Sequence, residues 1–227
     1  MENFITVVEM TFSESAQKER ADQQKKYLKN QFEFYGLTSP VRKSLQKQIL
    51  EDYAMLSKEE SYKIIKIFWQ KPQRELQYFA LELARKQIKN QESSDIELYE
   101  WLLLNKSWWD TVDFIASELV GKYFLKFPKK RNPMMEKWLL SGNIWLQRSA
   151  IIFQLKYREK TDVVFLAKTI HQLIESKEFF IKKAIGWSLR QYAKQNPNWT
   201  LKFVNQTNIL SGLSRREALK NISRTYS

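Results

Sequence analysis

Five alanines recur at a nearly constant interval and constrain the fold of this chain more than any other feature. Ala80, Ala116, Ala150, Ala184 and Ala218 are separated by 36, 34, 34 and 34 residues, and each lies in a run with helical periodicity. A period of this length is typical of solenoids built from helical pairs, although HEAT and armadillo repeats usually span about 40 to 47 residues. We therefore expect each alanine in the second helix of a pair, where a small side chain lets neighbouring helices approach.

Helix signals occur throughout the chain, and strand alternation is hard to find. The predicted helix starts are Ser39-Pro40, Asn132-Pro133, Asn196-Pro197, and the capping-box pairs Ser57 with Glu60, Ser94 with Glu97 and Ser214 with Glu217. We predict an all-α fold, a curved α-solenoid of HEAT-like helical-pair repeats with a concave basic groove. In this prediction residues 1–227 form a single domain, and residues 1–30 fold as N-terminal helices outside the regular repeat.

The net charge indicates an anionic partner. The chain contains 38 Lys and Arg against 25 Asp and Glu, which gives a net charge of +13. Such a charge favours nucleic acid or an anionic membrane surface. A membrane is the weaker choice, because no apolar run approaches the ~20 residues that span a bilayer and no signal peptide is evident.

Cations also recur within the repeat. Arg148, Lys182 and Arg216 each lie two residues before one of the repeated alanines. If these helices line the concave side, the three charges form a stripe that follows phosphates without reading base sequence. A solvated face without a partner is the alternative interpretation.

The composition disfavours several kinds of chemistry. The chain has no cysteine, which excludes disulfides and thiolate catalysis and fits a reducing cytoplasm. His171 is the only histidine, so a histidine-based zinc site or a Ser-His-Asp triad would depend on it alone. We interpret His171 as an ordinary surface or partly buried side chain. A nuclease or a zinc-dependent deaminase is disfavoured for the same reasons.

An aromatic ring and a carboxylate four residues apart mark a candidate site. In a helix, Trp109 and Asp113 lie on the same face. An aromatic π-face beside an anion attracts positive charge. A damaged, cationic base in DNA fits both this site and the basic chain, because it is a cation carried by a polyanion. Asp110 has the same charge as Asp113 but faces another direction from Trp109, and we interpret Trp108 as packing.

Several segments together carry a more specific signal. They are Asn105–Asp113, Asn143–Arg148, Lys177–Ile181, Ala184–Trp187 and Leu213–Ala218, with Tyr27, Lys29-Asn30 and Gly36 near the start. In content and order they resemble the AlkD family of bacterial DNA alkylation-repair glycosylases. The similarity spans nearly the whole chain.

This resemblance implies an enzyme that hydrolyses the N-glycosidic bond of cationic purines, such as 3-methyladenine and 7-methylguanine, in duplex DNA. It implies no metal, no cofactor and no flipping of the lesion into a base pocket. The positions that match the family's active site are Asp113, Trp109, Trp187 and Arg148. The predicted DNA contacts are Tyr27, Lys29, Thr38, Lys106, Lys182, Lys183, Arg190, Arg215 and Arg216. Thr38 departs from the family pattern, in which a glutamine contacts DNA near the lesion.

The residues fit this chemistry in their own right. A cationic base leaves as a neutral molecule without a general acid, and the sugar becomes oxocarbenium-like. We expect Asp113 to stabilise that charge and orient a water molecule. Trp109 and Trp187 would face the sugar and base, each contact contributing ~0.5 to 2 kcal/mol. Arg148 would hold a backbone phosphate, and an ion pair between Asp113 and Arg148 of a neighbouring repeat is compatible with catalysis.

The rival hypothesis is a non-catalytic HEAT-like paralogue that binds DNA or protein. Basic charge and repeats do not separate it from an enzyme. The combination of the four candidate residues favours the enzyme, because a scaffold has no need to assemble them in one groove. We therefore predict a monofunctional alkylpurine DNA glycosylase, a monomer of the bacterial cytoplasm that associates with the nucleoid when bound to double-stranded DNA.

Overall fold

A computed structural model describes residues 2–52 and 56–222, and the predicted all-α fold is confirmed. In these ranges the only pairing of β type is an isolated bridge between Glu33 and Gln73. No helix in the described part of the chain is both long and apolar enough to cross a membrane. The chain divides into two compact units, residues 1–90 and 91–227. The expectation of one domain over residues 1–227 stays a prediction.

The first unit places its helices around a core of phenylalanine rings. Its helices are α1 (Glu2–Glu14), α2 (Lys18–Tyr27), α3 (Ser39–Asp52), α4 (Lys58–Gln70) and α5 (Arg74–Lys86), followed by a 3-10 helix, Gln87–Asn90. The rings of Phe68 and Phe79 meet edge to face at 5.4 Å, and Phe4 meets Phe79 at 5.9 Å. Each such pair contributes about 0.5 to 1.5 kcal/mol beyond the burial of its area.

A buried carboxylate fixes the loop between α2 and α3. Glu75 is 1% exposed, and its Oε1 accepts hydrogen bonds from the backbone amides of Gly36 at 2.9 Å and Leu37 at 3.1 Å. Its Oε2 accepts a third from the amide of Tyr35 at 3.1 Å. Gly36 has a φ of +89°, and a Cβ there would lie 2.1 Å from a backbone oxygen, so the position requires glycine. The loop that leads to Thr38 is thereby held in one conformation.

The second unit consists of helical pairs. Its helices are α6 (Asp95–Leu104), α7 (Trp109–Phe114), α8 (Gly121–Lys126), α9 (Pro128–Leu140), α10 (Ile144–Ile152), α11 (Val163–Leu173), α12 (Phe179–Ala193), α13 (Pro197–Gln206) and α14 (Gly212–Leu219). The second members of successive pairs pack in order, α7 against α10, α10 against α12 and α12 against α14. This serial packing is the arrangement of a helical-repeat solenoid.

The alanine repeat occupies the predicted positions. Ala80 lies in α5, Ala150 in α10, Ala184 in α12 and Ala218 in α14, and Ala116 lies in the helical run that α7 begins. Each of the five is at most 1% exposed. The small side chains thus lie where second helices pack, as the period predicted. The curvature and the concave groove stay predictions.

The helical run of Ala116 contains a feature that the sequence did not predict. After α7 the backbone continues as a π-helical segment, Ile115–Val120, and then as α8 without a break. The hydroxyl of Ser117 donates to the carbonyl of Asp113 at 2.7 Å, a local bond that competes with regular helix hydrogen bonding. π-Helical turns are rare and are frequent at functional sites.

Two of the predicted helix starts are confirmed in full. Ser57 and Glu60 form the capping box of α4, with the Glu60 amide donating to Ser57 Oγ at 3.1 Å and the Ser57 amide donating to the Glu60 carboxylate at 3.0 Å. The Asn196 side chain caps α13 by accepting from the amide of Trp199 at 2.9 Å. Ser94 precedes α6 without a side-chain cap, and Ser39 is the first residue of α3.

Two other predicted starts are wrong. Pro133 lies inside α9, because Pro128 offers an earlier proline start and α9 begins there. Ser214 lies inside α14, because Ser211 caps that helix by accepting from the Ser214 amide at 3.1 Å. The Ser214 hydroxyl instead donates to the carbonyl of Lys182 at 2.8 Å, so a contact with α12 replaces the expected capping box.

Candidate active site

The helix that carries Trp109 and Asp113 starts from a turn with a fixed conformation. The side chains of Asn105 and Ser107 donate to backbone carbonyls of α6, and the Trp108 carbonyl accepts from the amides of Thr111 and Val112 in α7. Trp109 is thus the first residue of α7, and Asp113 follows one turn later on the same face. Both side chains are half-buried. The predicted juxtaposition of indole and carboxylate therefore rests on regular helix geometry.

Asp113 is held by a bidentate ion pair with Arg148 of α10. Arg148 Nε donates to Oδ1 at 2.7 Å, and Nη2 donates to Oδ2 at 2.9 Å. Nη1 donates to the carbonyl of Phe180 at 2.6 Å. The side chain of Arg148 is 6% exposed and that of Asp113 is 19% exposed. Parallel hydrogen bonds between a guanidinium and a carboxylate fix the orientation of both groups.

The environment of Asp113 changes its acidity. Burial raises the pKa of the Asp113 carboxyl above its ordinary value, while the hydrogen bonds and charge of Arg148 act in the opposite direction. The negative charge of Asp110 adds to the increase. A desolvated carboxylate beside a fixed cation interacts strongly with any further charge that enters the site.

At Arg148 the structure differs from the expected stripe of cations along the repeat. This guanidinium points into the protein, where three of its five N–H groups donate to Asp113 and Phe180. These contacts match the alternative interpretation, an ion pair of Arg148 with Asp113 of the neighbouring repeat. A phosphate contact of Arg148 stays a prediction, and only the two remaining N–H groups can make it.

An aromatic cluster flanks this ion pair, and of its members only Trp108 was interpreted from the sequence, as a packing residue. The rings of Trp108, Trp145 and Phe180 lie 4.9 to 5.5 Å apart. The Phe180 ring also lies 6.0 Å from the guanidinium carbon of Arg148. Trp108 therefore packs, as interpreted, and its partners form an apolar wall beside the charged pair. The clue in the sequence was the aromatic content of the segments around residues 145 and 180.

Trp187 lies on α12, the helix that supplies Phe180 to Arg148. Two helical turns separate the two residues, so they share a face of α12. Trp187 is half-buried and packs against the apolar core of the second unit. The structure thus brings Asp113 and Arg148 into contact and places Trp109 and Trp187 on the helices that carry Asp113 and Phe180.

Two of the predicted DNA contacts share a carboxylate. Glu217 of α14 accepts from Lys183 Nζ at 2.9 Å and from Arg190 Nη1 at 2.7 Å. The sequence interpretation had Glu217 in a capping box of α14, so this role was missed. The pairing of Glu217 with Lys183 and Arg190 depends on the packing of α14 against α12, which the sequence alone does not show.

The other predicted DNA contacts of the second unit lie on three elements. Lys182 is half-buried on α12, and Arg216 is exposed on α14. Arg215 donates from Nη2 to the carbonyl of Thr207 at 3.3 Å. Lys106 has a φ of +47° in the turn before α7.

In the first unit the predicted contacts surround the loop that Glu75 fixes. Tyr27 ends α2 and is strongly exposed, and Lys29 has a φ of +58° in the following turn. Thr38 is half-buried, and its carbonyl accepts from the amide of Arg42 at 2.9 Å at the start of α3.

Metal-ligating side chains do not cluster in residues 2–52 and 56–222, where no group of three or more acidic or histidine side chains could hold an ion. His171 is exposed on α11, with its ring 5.5 Å from that of Phe203. Of the two positions expected for His171, surface or partly buried, the structure shows the first.

Fold and site together define an all-helical repeat protein with a bidentate Arg-Asp pair beside a cluster of aromatic side chains. The family model described as DNA alkylation repair enzyme matches residues 8–222, and the chain belongs to this family. It is similar to the solved structure of a predicted DNA alkylation repair enzyme from Enterococcus faecalis, with 33% identity and a TM-score of 0.85. The match covers 92% of this chain and 97% of that chain. A search of curated proteins found no match.

The predicted family is thereby confirmed, and with it a role in the repair of alkylated DNA. The protein is an enzyme of DNA repair, and its substrate class is DNA.

Proposed function

We propose that the protein is a monofunctional DNA glycosylase that hydrolyses the N-glycosidic bond of cationic alkylated purines, such as 3-methyladenine and 7-methylguanine, in duplex DNA. The observation that carries the proposal is the bidentate hydrogen bonding of Arg148 to Asp113, a carboxylate that lies on the same face of α7 as Trp109. An anion with a fixed orientation beside an indole suits a reaction in which positive charge develops on a sugar.

The leaving group explains why so few catalytic groups are needed. Alkylation of a ring nitrogen makes the purine cationic, so the base departs as a neutral molecule and requires no proton. An intact base would leave as an anion, which makes its bond far less labile. Selectivity for damaged bases can therefore arise from the chemistry of the lesion, without a tight base pocket or base flipping.

Asp113 carries the electrostatic part of the mechanism. A carboxylate offers about four lone-pair sites, and Arg148 occupies two of them. The remaining sites are free to face the oxocarbenium-like sugar and to orient a water molecule toward the anomeric carbon. The hydrogen bonds from Arg148 favour the ionised form of Asp113, so Arg148 acts in this proposal as a positioning residue.

The indoles supply the second attraction. Trp109 and Trp187 would present their π-faces to the cationic base and the developing sugar cation, each contact contributing ~0.5 to 2 kcal/mol. The basic residues predicted as DNA contacts would hold the DNA backbone through phosphate contacts that are sensitive to salt. In this proposal the protein acts as a monomer in the bacterial cytoplasm, without metal or cofactor.

The test is release of free base from methylated duplex DNA. We expect the wild-type chain to release 3-methyladenine and 7-methylguanine above the spontaneous background, with unchanged rates after treatment with a chelator. Asp113→Asn should retain DNA binding and lose release. Asp110→Asn is the matched control, because it removes the same charge from α7 at a residue that faces another direction, and it should retain release.

The competing function is a non-catalytic DNA- or protein-binding paralogue. No release by the wild-type chain, with DNA binding intact, would favour that function. Equal loss of release in Asp110→Asn and Asp113→Asn would assign the effect to the charge of the helix and remove Asp113 from its proposed role.

A further inference from the structure

Glu217 joins the two cations on either side of Trp187. Its Oε1 lies 2.9 Å from Lys183 Nζ, and its Oε2 lies 2.7 Å from Arg190 Nη1, so each oxygen binds one cation. The side chains are 19% exposed for Glu217, 37% for Lys183 and 23% for Arg190. Solvent and salt screen a partly buried network of this kind less than they screen an exposed ion pair.

The positions of the two cations on α12 place them beside Trp187. Lys183, Trp187 and Arg190 are spaced by four and three residues, so they lie along one face of the helix. Each cation is therefore about one turn from the indole. A polyanionic strand that runs along this face meets a cation, the ring of Trp187 and a second cation in succession.

Backbone packing fixes the position of Glu217. A Cβ at Gly186 would lie 2.5 Å from Glu217 Cβ and 2.8 Å from the carbonyl oxygen of Ser214, so α14 touches α12 at this point. The hydroxyl of Ser214 adds a hydrogen bond to the carbonyl of Lys182 at 2.8 Å. The hydrogen bond from Lys183 lowers the pKa of Glu217, which keeps its carboxylate ionised. Glu217 is a stationary anion that orients both cations.

We infer that Glu217 is a specificity-determining residue, which restrains Lys183 and Arg190 so that they bind phosphates only on a strand lying along Trp187. The inference rests on the proposed function, in which this face of α12 meets DNA. Each cation donates one hydrogen bond to Glu217 and keeps further N–H groups for a phosphate in that position. A phosphate elsewhere would have to draw the cation away from Glu217. In undamaged DNA no lesion holds the strand along Trp187, so binding to undamaged DNA is weakened.

The test is the salt dependence of binding in Glu217→Gln, which keeps the shape of the side chain and removes its charge. We expect tighter binding to undamaged duplex and a steeper plot of log affinity against log salt, by about 0.9 for each additional phosphate that the variant neutralises. One additional phosphate corresponds to about a 3.5-fold change in the ratio of variant to wild-type affinity between about 50 and 200 mM salt. The preference for a duplex with a tetrahydrofuran abasic-site analogue over undamaged duplex, measured at one salt concentration, should fall.

Glu118→Gln is the matched control. Glu118 pairs with Lys122 and Lys156, and its side chain is 17% exposed, so the substitution removes one charge from a carboxylate of similar exposure that also pairs with two cations. If net charge alone sets the affinity, both variants will behave alike, and the inference is overturned. A Lys183→Gln, Arg190→Gln background should abolish the effect of Glu217→Gln on the salt slope.

An unchanged or shallower slope in Glu217→Gln, with thermal unfolding intact, also overturns the inference. The outcome is separable from the proposed function, because binding to undamaged duplex is measured without base release. A chain that binds DNA but releases no base would refute the glycosylase and leave the role of Glu217 as a restraint on Lys183 and Arg190 to be decided by the salt slope.

Discussion

Arg148 donates hydrogen bonds to both carboxylate oxygens of Asp113, at 2.7 and 2.9 Å, from a helix one repeat further along the chain. The pair joins α10 to the helix that begins with Trp109, so the orientation of the proposed catalytic carboxylate depends on the packing of two repeats. Phe180 of the following repeat accepts the third hydrogen bond of the same guanidinium, at 2.6 Å. Three successive repeats thus determine where Asp113 points.

Arg148→Lys tests this dependence. Lysine keeps the charge but lacks the planar fork, so it cannot bind both oxygens and the Phe180 carbonyl together. Loss of one hydrogen bond to a charged group costs about 1.5 to 3 kcal/mol, which corresponds to a fall of roughly 10- to 150-fold in single-turnover base release. Affinity for undamaged duplex should change little.

Arg131→Lys is the control for that substitution. Arg131 of α9 pairs with Asp162 at 2.9 Å, and both side chains are more exposed than those of Arg148 and Asp113. We expect its rate of release to stay within about twofold of wild type, because exposed ion pairs contribute only about 0 to 1 kcal/mol. Equal losses in the two variants would remove Arg148 from the positioning role.

The pH dependence of release reports the state of Asp113. The reaction requires the ionised carboxylate, so kcat/KM should fall as the pH falls through the pKa of Asp113 in the free enzyme. Burial raises that pKa, and the midpoint of the acidic limb should lie above the ordinary aspartate value of about 3.9. Asp110 adds to the increase, so Asp110→Asn should shift the midpoint downward. A midpoint that Asp110→Asn does not move, or moves upward, would contradict this assignment.

How far the sequence predicted the fold is clearest at the alanines. Spaced small residues reflect the packing of second helices, and all five alanines are buried where the repeat placed them. Two helix starts were wrong, because Pro128 and Pro133 offer competing local signals and the hydroxyl of Ser214 donates to α12. Local patterns predict that a helix exists better than they predict where it begins.

At the candidate site, sequence spacing predicted contacts within one helix but not contacts between helices. Spacing alone placed Trp109 and Asp113 on one helix face, since the two residues are one turn apart in α7. The partner of Arg148 stayed open between a phosphate and Asp113, because 35 residues separate the two side chains and only helix packing brings them together. Glu217 was assigned to a cap for the same reason, as its partner Lys183 lies 34 residues away.

Gly186→Ala tests the close approach of α14 to α12. The added methyl carbon would lie 2.5 Å from Glu217 Cβ and 2.8 Å from the Ser214 carbonyl oxygen, and neither atom is the end of a flexible side chain. We expect the free energy of unfolding to fall by about 1 to 3 kcal/mol through overpacking, measured by urea denaturation. Gly212→Ala adds the same group to α14, with its nearest neighbour a side-chain atom of Arg216 at 3.6 Å. That variant should be neutral or more stable, and an equal loss in both would point away from the helix contact.

Glu75→Gln tests whether the loop before Thr38 depends on a carboxylate. The Glu75 oxygens accept three backbone amides, from Tyr35, Gly36 and Leu37. Glutamine can accept with one oxygen only, and its amide group would face at least one backbone donor that is left without a partner. A buried unsatisfied group costs about 1 to 3 kcal/mol, and we expect the free energy of unfolding to fall by that amount.

The matched control for Glu75→Gln is Glu82→Gln on the same helix. Glu82 accepts from Arg85 Nε at 2.6 Å, and the side chain of Arg85 is 55% exposed, so this pair should contribute less than about 1 kcal/mol. Amide hydrogen exchange gives a second measurement, because loss of the carboxylate should accelerate exchange at Tyr35, Gly36 and Leu37 before the rest of the unit. Protection that is unchanged at these three amides would show that the loop is held by its other contacts, including the fit of Gly36 against the start of α2.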